Sequence, residues 1–260
     1  MRLRKVTLVL VVSSLLMTIA CNEEEPVALM PVTTNSELAL ELYESGMIAF
    51  DQLKAKLAWN NLESAVSEDP DFFMAYFWMY LMTSEGSKKV AEKALQANAD
   101  LNDGEQQIKT AFKYLLEGQD EKVLEHLKMA VDLFPSDPYV HKILYTLQFF
   151  YMKDYDGAIQ SITRAIDEIP GYAWAYNLLG YAYMELEDYE KAEKALDQYI
   201  KYAPDQANPY DSKGDYYMNT KQYGKAFDSY MKAFELDSSF TVSEKKAKNA
   251  KQLLSKMRTS

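Results

Sequence analysis

The stretch from Ala173 to Pro204, AWAYNLLGYAYMELEDYEKAEKALDQYIKYAP, decides the fold of this chain. Its pattern of small and aromatic residues recurs from Tyr139 and again from Ala207, each time at an interval of about 34 residues. Each copy contains two amphipathic helical runs joined by a short polar turn. A fixed period in this range predicts a stack of similar helical units, because one such unit cannot bury its apolar face alone.

Packing explains the residues that recur in each unit. Gly180 and Gly214 are predicted at the point where the two helices of a unit cross, because a side chain there pushes the helices apart. Ala192 and Ala226 supply the matching small residue on the second helix. Pro204 marks the end of a second helix, since proline cannot continue one. These residues are therefore expected to be structural.

The units resemble tetratricopeptide repeats, with Tyr176 in place of the repeat's tryptophan, followed by Leu179-Gly180 and Tyr183. The pattern extends backward with decreasing fidelity to Ala39. The resemblance implies an all-α fold: a right-handed superhelix of about six TPR-like helical hairpins within residues 37–257. An amphipathic helix over residues 242–257 is predicted to cap its C-terminal end.

Composition supports a helical protein and limits its partners. Hydrophobic residues make up 48% of the chain, which excludes disorder of the whole protein, and only nine glycines and eight prolines argue against an all-β fold. The formal net charge is −11. Without Arg2, Arg4 and Lys5, which lie in a predicted leader, 25 basic residues oppose 39 acidic ones and the charge is −14. Such a surface repels phosphate backbones, so nucleic acid is not an expected partner.

The first residues of the chain predict export. Three positive charges precede an apolar run over residues 6–20, which is shorter than the ~20 residues of a membrane-spanning helix. Residues 1–20 are therefore interpreted as a signal peptide. The lone Cys21 then resembles the lipidated cysteine of bacterial lipoproteins, although Thr18 stands where leucine is usual. The alternative is a plain secreted protein with one spare thiol.

The predicted lipid anchor is followed by a linker. Residues 21–36 are expected to form a flexible tether that begins with the lipidated cysteine. The run Asn22-Glu23-Glu24-Glu25 resembles the surface-export signal of Bacteroidota lipoproteins, or is simply the start of a solvated linker. The expected location is the cell envelope, lipid-anchored to the periplasmic face or the outer face of the outer membrane.

The resemblance also implies that the first helices of the hairpins line a concave groove. Helical phase places ten candidate binding residues there: Phe77, Trp78, Phe150, Tyr151, Trp174, Asn177, Tyr181, Glu185, Asp211 and Asp215. Aromatic anchors toward one end and carboxylates toward the other are typical of a site for an extended peptide or helix with a basic segment. The alternative is that the aromatic residues pack against other parts of the chain.

No residue pattern predicts catalysis, a cofactor or a metal site. The sequence has no Gly-rich phosphate loop and no nucleophile elbow, and no ligand spacing surrounds its two histidines. The expected function is a non-enzymatic scaffold or adaptor lipoprotein for protein–protein interactions. A surface lipoprotein that binds a glycan or small molecule is the alternative, and an all-helical hydrolase is a further one.

Overall fold

The computed structural model describes residues 29–83, 87–97, 100–169 and 171–259, and in these ranges the chain forms helices and no strand. The helices are α1 (Glu37–Asp51), α2 (Ala55–Glu68), α3 (Phe73–Leu81), α4 (Lys88–Gln96), α5 (Asp103–Leu116), α6 (Asp120–Leu133), α7 (Pro138–Thr146), α8 (Tyr155–Glu168), α9 (Ala173–Glu185), α10 (Tyr189–Tyr202), α11 (Ala207–Asn219), α12 (Tyr223–Leu236) and α13 (Thr241–Thr259). A π-helical turn, Leu147–Met152, extends α7.

Consecutive helices pair into six hairpins, from α1 with α2 to α11 with α12, and α13 packs on α12 without a second helix of its own. This arrangement confirms the predicted all-α superhelix of about six hairpins with a C-terminal capping helix. In the register of the repeat, Lys248 of α13 stands where Gly214 and Gly180 stand in the two preceding hairpins. That lysine is exposed, so among the described residues no second helix covers the crossing position of α13.

The turn inside several hairpins requires left-handed backbone. Lys153, Glu187 and Lys221 have φ values of 58°, 57° and 59° and occupy equivalent positions in three successive repeats. Leu53 takes the corresponding place in the first hairpin, with φ at 57°. Each non-glycine residue in this region costs about 1–2 kcal/mol. The cost recurs because the same tight turn must reverse the chain in each of these hairpins.

The glycines at the helix crossings are as tightly surrounded as the sequence predicts. A Cβ atom on Gly180 would lie 2.7 Å from Leu196 Cδ2, and one on Gly214 would lie 2.4 Å from Tyr230 Cε1. Gly224, near the start of α12, has its nearest such neighbour, Leu254 Cδ2, at 3.9 Å. Close packing therefore requires glycine at positions 180 and 214 but not at position 224.

The segment Leu29–Ser36, called the strap here, is fixed to the edge of the array. Met30 N–H donates to Asp137 Oδ2 at 2.9 Å, and Thr33 N–H donates to Glu105 Oε1 at 2.8 Å. Asn35 N–H donates to Asp69 Oδ2 at 2.7 Å. Asp137 and Asp69 lie in the junctions before α7 and α3, and Glu105 lies in the first turn of α5, so the strap crosses three successive hairpins.

The flexible tether predicted for residues 21–36 is therefore wrong for the described part of that segment. The buried Met30 side chain packs near Gly104, and Asn102 Nδ2 donates to the carbonyl of Pro31 at 2.7 Å. Burial raises the pKa of Glu105, which accepts hydrogen bonds from Thr33 and Asn102 that oppose the rise. The sequence shows polar residues here but not the buried carboxylates that bind their backbone. Residues 21–28 lie outside the described residues.

The superhelix winds tightly enough for its first hairpin to reach the fourth. Lys142 of α7 is 2% exposed and forms an ion pair with Asp51, at the end of α1. Its Nζ lies 3.9 Å from the ring centroid of Trp174 and 5.6 Å from that of Phe50. Tyr139 Oη donates to the same Asp51 carboxylate at 2.9 Å. Burial lowers the pKa of Lys142, and the neighbouring Asp51 carboxylate opposes that change.

We expect Gly214→Ala to lower the free energy of unfolding by about 1–3 kcal/mol, because the new methyl group overlaps the Tyr230 ring. Gly224→Ala is the matched control, and its open surroundings predict a change between zero and a gain of about 1 kcal/mol. Urea unfolding followed by circular dichroism measures both. Equal effects of the two substitutions would contradict the role assigned to the crossing glycine.

The ion pair between Lys142 and Asp51 predicts an asymmetric response to mutation. Asp51→Asn leaves a buried ammonium group without its carboxylate and is expected to cost about 3–5 kcal/mol. Lys142→Met fills the same space with an apolar chain and leaves a carboxylate that already reaches solvent, so a cost below about 1.5 kcal/mol is expected. Denaturant unfolding measures the free energy of unfolding of both variants. A larger loss of stability for Lys142→Met than for Asp51→Asn would contradict this explanation.

Candidate functional site

Two of the predicted groove residues lie in the core. Phe77 and Trp78 are 0% and 1% exposed. The Trp78 ring lies 5.4 Å from that of Phe50 and 6.2 Å from that of Tyr139, counted between centroids. Their assignment as ligand contacts is therefore wrong, because α1, α3 and α7 converge on the inner side and close it. The alternative of packing within the chain holds for these aromatic residues.

Trp174 also packs partly against other residues of the chain. Its ring covers the buried Lys142, while the residue also lines a cavity beside α11. The indole N–H has no hydrogen-bond acceptor among the described residues. Trp174 is thus a wall of the inner surface and not a free aromatic anchor.

The predicted acidic end of the groove already holds a cation from the chain itself. Lys246 of α13 places its Nζ 2.7 Å from Asp211 Oδ2 and 2.9 Å from an Asp215 carboxylate oxygen. Ser243 Oγ donates to Asp211 at 2.5 Å, and Tyr181 Oη donates to Asp215 at 2.7 Å. A basic partner segment therefore does not meet free carboxylates at these two positions. The capping helix takes the place predicted for the partner.

Electrostatics in this network follow from burial. Burial raises the pKa of Asp211 even though Lys246 and Ser243 favour its ionised form. For Lys246 burial acts to lower the pKa, but the two carboxylates outweigh it and the net shift is upward. Tyr230 Oη donates to Asp215 at 2.6 Å and completes the set. The network fastens α13 to α11 and α12, so these residues have a structural role that the sequence pattern did not reveal.

A cavity remains between α9, α11 and the start of α13. Its volume is about 490 Å³, and Leu53 from the first hairpin lies at its border. Asn177 lines it and is 6% exposed, and its Oδ1 atom has no hydrogen-bond partner among the described residues. A buried amide oxygen without a partner costs about 1–3 kcal/mol, so a ligand N–H donor at this position is favoured.

The exposed residues of the predicted groove lie at positions that recur in each repeat. Phe150 and Tyr151 are 56% and 38% exposed on the π-helical turn. Met184 and Glu185 take the equivalent positions one repeat later, and Met218 and Asn219 take them in the repeat after that. Leu116 and Glu117 precede them by the same interval. We call these four pairs the exposed row; most of its members are exposed, and it runs along the ends of α5, α7, α9 and α11.

The row is continuous between the fourth and fifth hairpins. The Phe149 ring contacts Phe150 on one side and Tyr155 on the other, with centroids 4.7 Å and 5.1 Å apart. The Tyr155 hydroxyl is a hydrogen-bond partner of Glu185. Glu185 and Glu187 are exposed beside a depression of about 550 Å³ that Met184, Met218 and Asn219 also line. Of the predicted carboxylates, Glu185 is the one that α13 does not neutralise.

A third depression, on α5, was missed from the sequence. Gln106, Lys109, Lys113, Leu116 and Glu117 of α5 line a depression of about 550 Å³. They lie two repeat periods before Trp174, Asn177, Tyr181, Met184 and Glu185. The repeat register therefore relates these residues to the predicted groove residues of α9. The relation was missed because the repeat pattern in the first helix of this hairpin is weak.

Nothing in the described part of the chain adds a metal site or a membrane span. No cluster of three or more histidine, cysteine, aspartate or glutamate side chains in it has the arrangement of a metal site. No helix within the described ranges is both long and apolar enough to cross a bilayer. Cys21, the predicted lipidation site, lies outside those ranges.

Comparison with known proteins identifies the repeat. Residues 149–213 match a family model described as tetratricopeptide repeat, and residues 207–240 match a second model with the same description. No curated protein matches the sequence.

Comparison with solved structures supports the fold. The thermophilic TPR protein TTC0263 of Thermus thermophilus has a TM-score of 0.53 at 17% identity, with 82% of this chain and 98% of that chain covered. MamA is 28% identical over 60% of this chain and 90% of its own, with a TM-score of 0.44. The first TPR of Spaghetti (RPAP3), bound to an HSP90 peptide, has a TM-score of 0.41 at 20% identity, with 45% of this chain and 92% of that chain covered. Residues 149–240 of this chain thus match tetratricopeptide-repeat models, and they lie within an all-α superhelix.

Proposed function

We propose that this protein is a non-enzymatic scaffold that binds a protein partner along the exposed row. The observation that carries the proposal is the exposure of Phe150 and Tyr151, at 56% and 38%, in a chain that buries most of its other inner aromatic residues. Large exposed aromatic side chains beside polar groups are typical of binding hot spots. Tetratricopeptide repeats, like other stacked helical repeats, present an extended surface for such contacts.

The length of the row fits an extended peptide. Packed helices lie about 10 Å apart, so four first helices span about 30 Å, which about nine extended residues cover. Phe150 and Tyr151 offer apolar contact near its middle, and Glu185 with Glu187 offers negative charge toward α11. The unpartnered Asn177 oxygen provides an acceptor for a peptide N–H in the neighbouring cavity. A basic partner residue is therefore expected at the α9 side.

The proposed setting is the bacterial cell envelope, with the protein held on the outer membrane by lipid on Cys21. The sequence supports this through the basic head, the short apolar run and the cysteine that directly follows it. A single acyl chain binds a membrane only marginally, so a stable anchor requires more than one chain.

The first experiment is a crosslinking pull-down from native membranes with the intact protein. We expect one protein partner to be enriched, and the double variant Phe150→Ala/Tyr151→Ala to lose it because the central apolar contact is removed. The matched control is Met129→Ala/Leu133→Ala, which removes two similarly exposed apolar side chains from α6. Retention of the partner by both double variants would reject the exposed row as the binding surface.

Absence of any enriched protein would instead count against the scaffold itself. Tryptophan fluorescence during titration with oligosaccharides then tests the glycan-binding alternative, and turnover of a hydrolase substrate panel tests the enzymatic one. Thermal unfolding of each variant checks that its fold is intact.

Lipidation is tested separately. We expect metabolic labelling with a palmitate analogue to mark the wild-type protein in its native host, and Cys21→Ser to abolish both labelling and partition into detergent. Mass spectrometry of the mature N-terminus provides the direct measurement. An unlabelled, processed protein whose N-terminus is not Cys21 would show a secreted protein without the anchor.

A further inference from the structure

The cavity between α9, α11 and the start of α13 is lined by two residues that each have a buried polar atom without a partner. Neither Trp174 Nε1 nor Asn177 Oδ1 has a hydrogen-bond partner among the described residues. The two residues are three positions apart on α9, so they lie on one face of the helix with Cβ atoms about 5–6 Å apart. One atom is a donor and the other an acceptor. Because an unmade hydrogen bond at a buried group costs free energy, a ligand that supplies both partners is favoured.

The charged groups of this cavity do not select an ion. Asp211 accepts from Ser243 Oγ through one carboxylate oxygen and from Lys246 Nζ through the other. Lys246 also donates to the Asp215 carboxylate at 2.9 Å. These charged atoms already have partners within the chain, and a further buried charge would be left without one. The cavity therefore favours a neutral ligand.

The mouth of the cavity is apolar. Leu53, Phe240 and Val242 border it, and Leu53 and Val242 are 52% and 47% exposed. Leu53 has a φ of 57° in the turn of the first hairpin, where the equivalent residues of three later hairpins are lysine or glutamate. The turn itself therefore does not require an apolar residue. Contact with a ligand at the cavity mouth gives a reason for leucine at this position.

The size and the few polar groups of the cavity fit a small molecule. Its volume of about 490 Å³ lies within the range of about 300–1,000 Å³ that is typical of small-molecule sites. A sugar would place further hydroxyl groups against the apolar mouth, where they lack partners. A carboxamide has one donor and one acceptor on neighbouring atoms. Such a group attached to an apolar body therefore matches both the polar wall and the mouth.

We propose that this cavity binds a small neutral carboxamide, whose N–H donates to Asn177 Oδ1 and whose carbonyl accepts from Trp174 Nε1. The aliphatic or aromatic part of the ligand lies at the mouth, between Leu53 and Phe240. The inference goes beyond the proposed function, because the ligand is a free molecule and not a part of the protein partner. A peptide group of the partner has a similar donor and acceptor, so the two occupants exclude each other.

The first test is a titration of the ¹⁵N-labelled protein with benzamide, followed through the indole N–H signals of its three tryptophans. The Trp174→Phe variant assigns the signal of Trp174. We expect benzamide to shift that signal in a saturable way and to leave the signals of Trp59 and Trp78 unchanged. Trp59 lies on α2 and Trp78 in the core, and neither lines the cavity.

Two probes of the same size as benzamide test the ligand chemistry. Methyl benzoate has no N–H donor, and benzoate is an anion. Each is expected to bind about 10-fold more weakly than benzamide, the effect of losing one hydrogen bond. Equal binding of the three probes would overturn the proposal. The absence of a saturable shift with benzamide, as for a cavity that holds only water, would overturn it as well.

Asn177→Leu removes the acceptor at nearly constant size. We expect this variant to bind benzamide about 10-fold more weakly, and its thermal midpoint without ligand to rise by about 2–4 °C because an unpaired buried atom is lost. A purely structural role of Asn177 predicts a lower midpoint instead, and that result or unchanged binding would refute the site. The control is Asn61→Leu, a partly buried asparagine of α2 outside this cavity, which is expected to leave benzamide binding unchanged.

Leu53→Lys tests the mouth without altering the helices. Lysine already occupies the equivalent left-handed position at Lys153 and Lys221, so the turn is expected to remain intact. Loss of the apolar contact is expected to weaken benzamide binding about 3- to 10-fold. Unchanged binding would contradict the proposed position of the apolar part.

The failures of this proposal and of the proposed function can be told apart. Benzamide binding is measured without any protein partner, whereas the membrane pull-down tests the exposed row. A captured partner that shifts the Trp174 signal, while benzamide does not, would assign the cavity to the partner and refute the ligand site. Benzamide binding that depends on Asn177, without any captured partner, would support the ligand site and count against the scaffold.

Discussion

Each helical hairpin of this protein leaves apolar surface that it cannot cover alone, and the structure depends on how neighbouring hairpins cover it. Close approach is possible because Gly180 and Gly214 allow Leu196 and Tyr230 to lie where a methyl group would otherwise be. The same turn geometry recurs at Lys153, Glu187 and Lys221 and keeps successive hairpins in one register. Regular stacking then produces curvature, because each step adds a similar rotation.

Curvature has a consequence for binding. The first helices of hairpins one, two and four approach one another on the inner side, and the resulting space is filled by aromatic rings around the buried Lys142. The strap and α13 cover further surface of the array. The strap covers the junctions of three hairpins, and Lys246 neutralises Asp211 and Asp215. What stays open is a row along the ends of α5, α7, α9 and α11 and the pockets beside it.

The open surface has a charge pattern that a uniform groove lacks. Lys109 and Lys113 lie at the α5 end, the exposed rings of Phe150 and Tyr151 lie in between, and Glu185 lies toward α11.

The sequence by itself determined the repeat, the number of hairpins, the crossing glycines and the capping helix. These features depend on local spacing, and local spacing is written directly in the order of residues. Helical phase placed Phe150, Tyr151 and Glu185 in the predicted groove; all three are exposed, and their role in binding remains a prediction.

Only the tertiary structure decided that Phe77 and Trp78 are core, that Asp211 and Asp215 are bound by Lys246, and that the strap is ordered. These outcomes join residues that are far apart in the chain, such as Asp51 with Lys142 and Met30 with Asp137. The periodicity of one repeat contains no information about how far the superhelix winds. The rotations between successive hairpins add up along the stack, and their total decides which surfaces meet. That total is a property of the folded array and not of any one repeat.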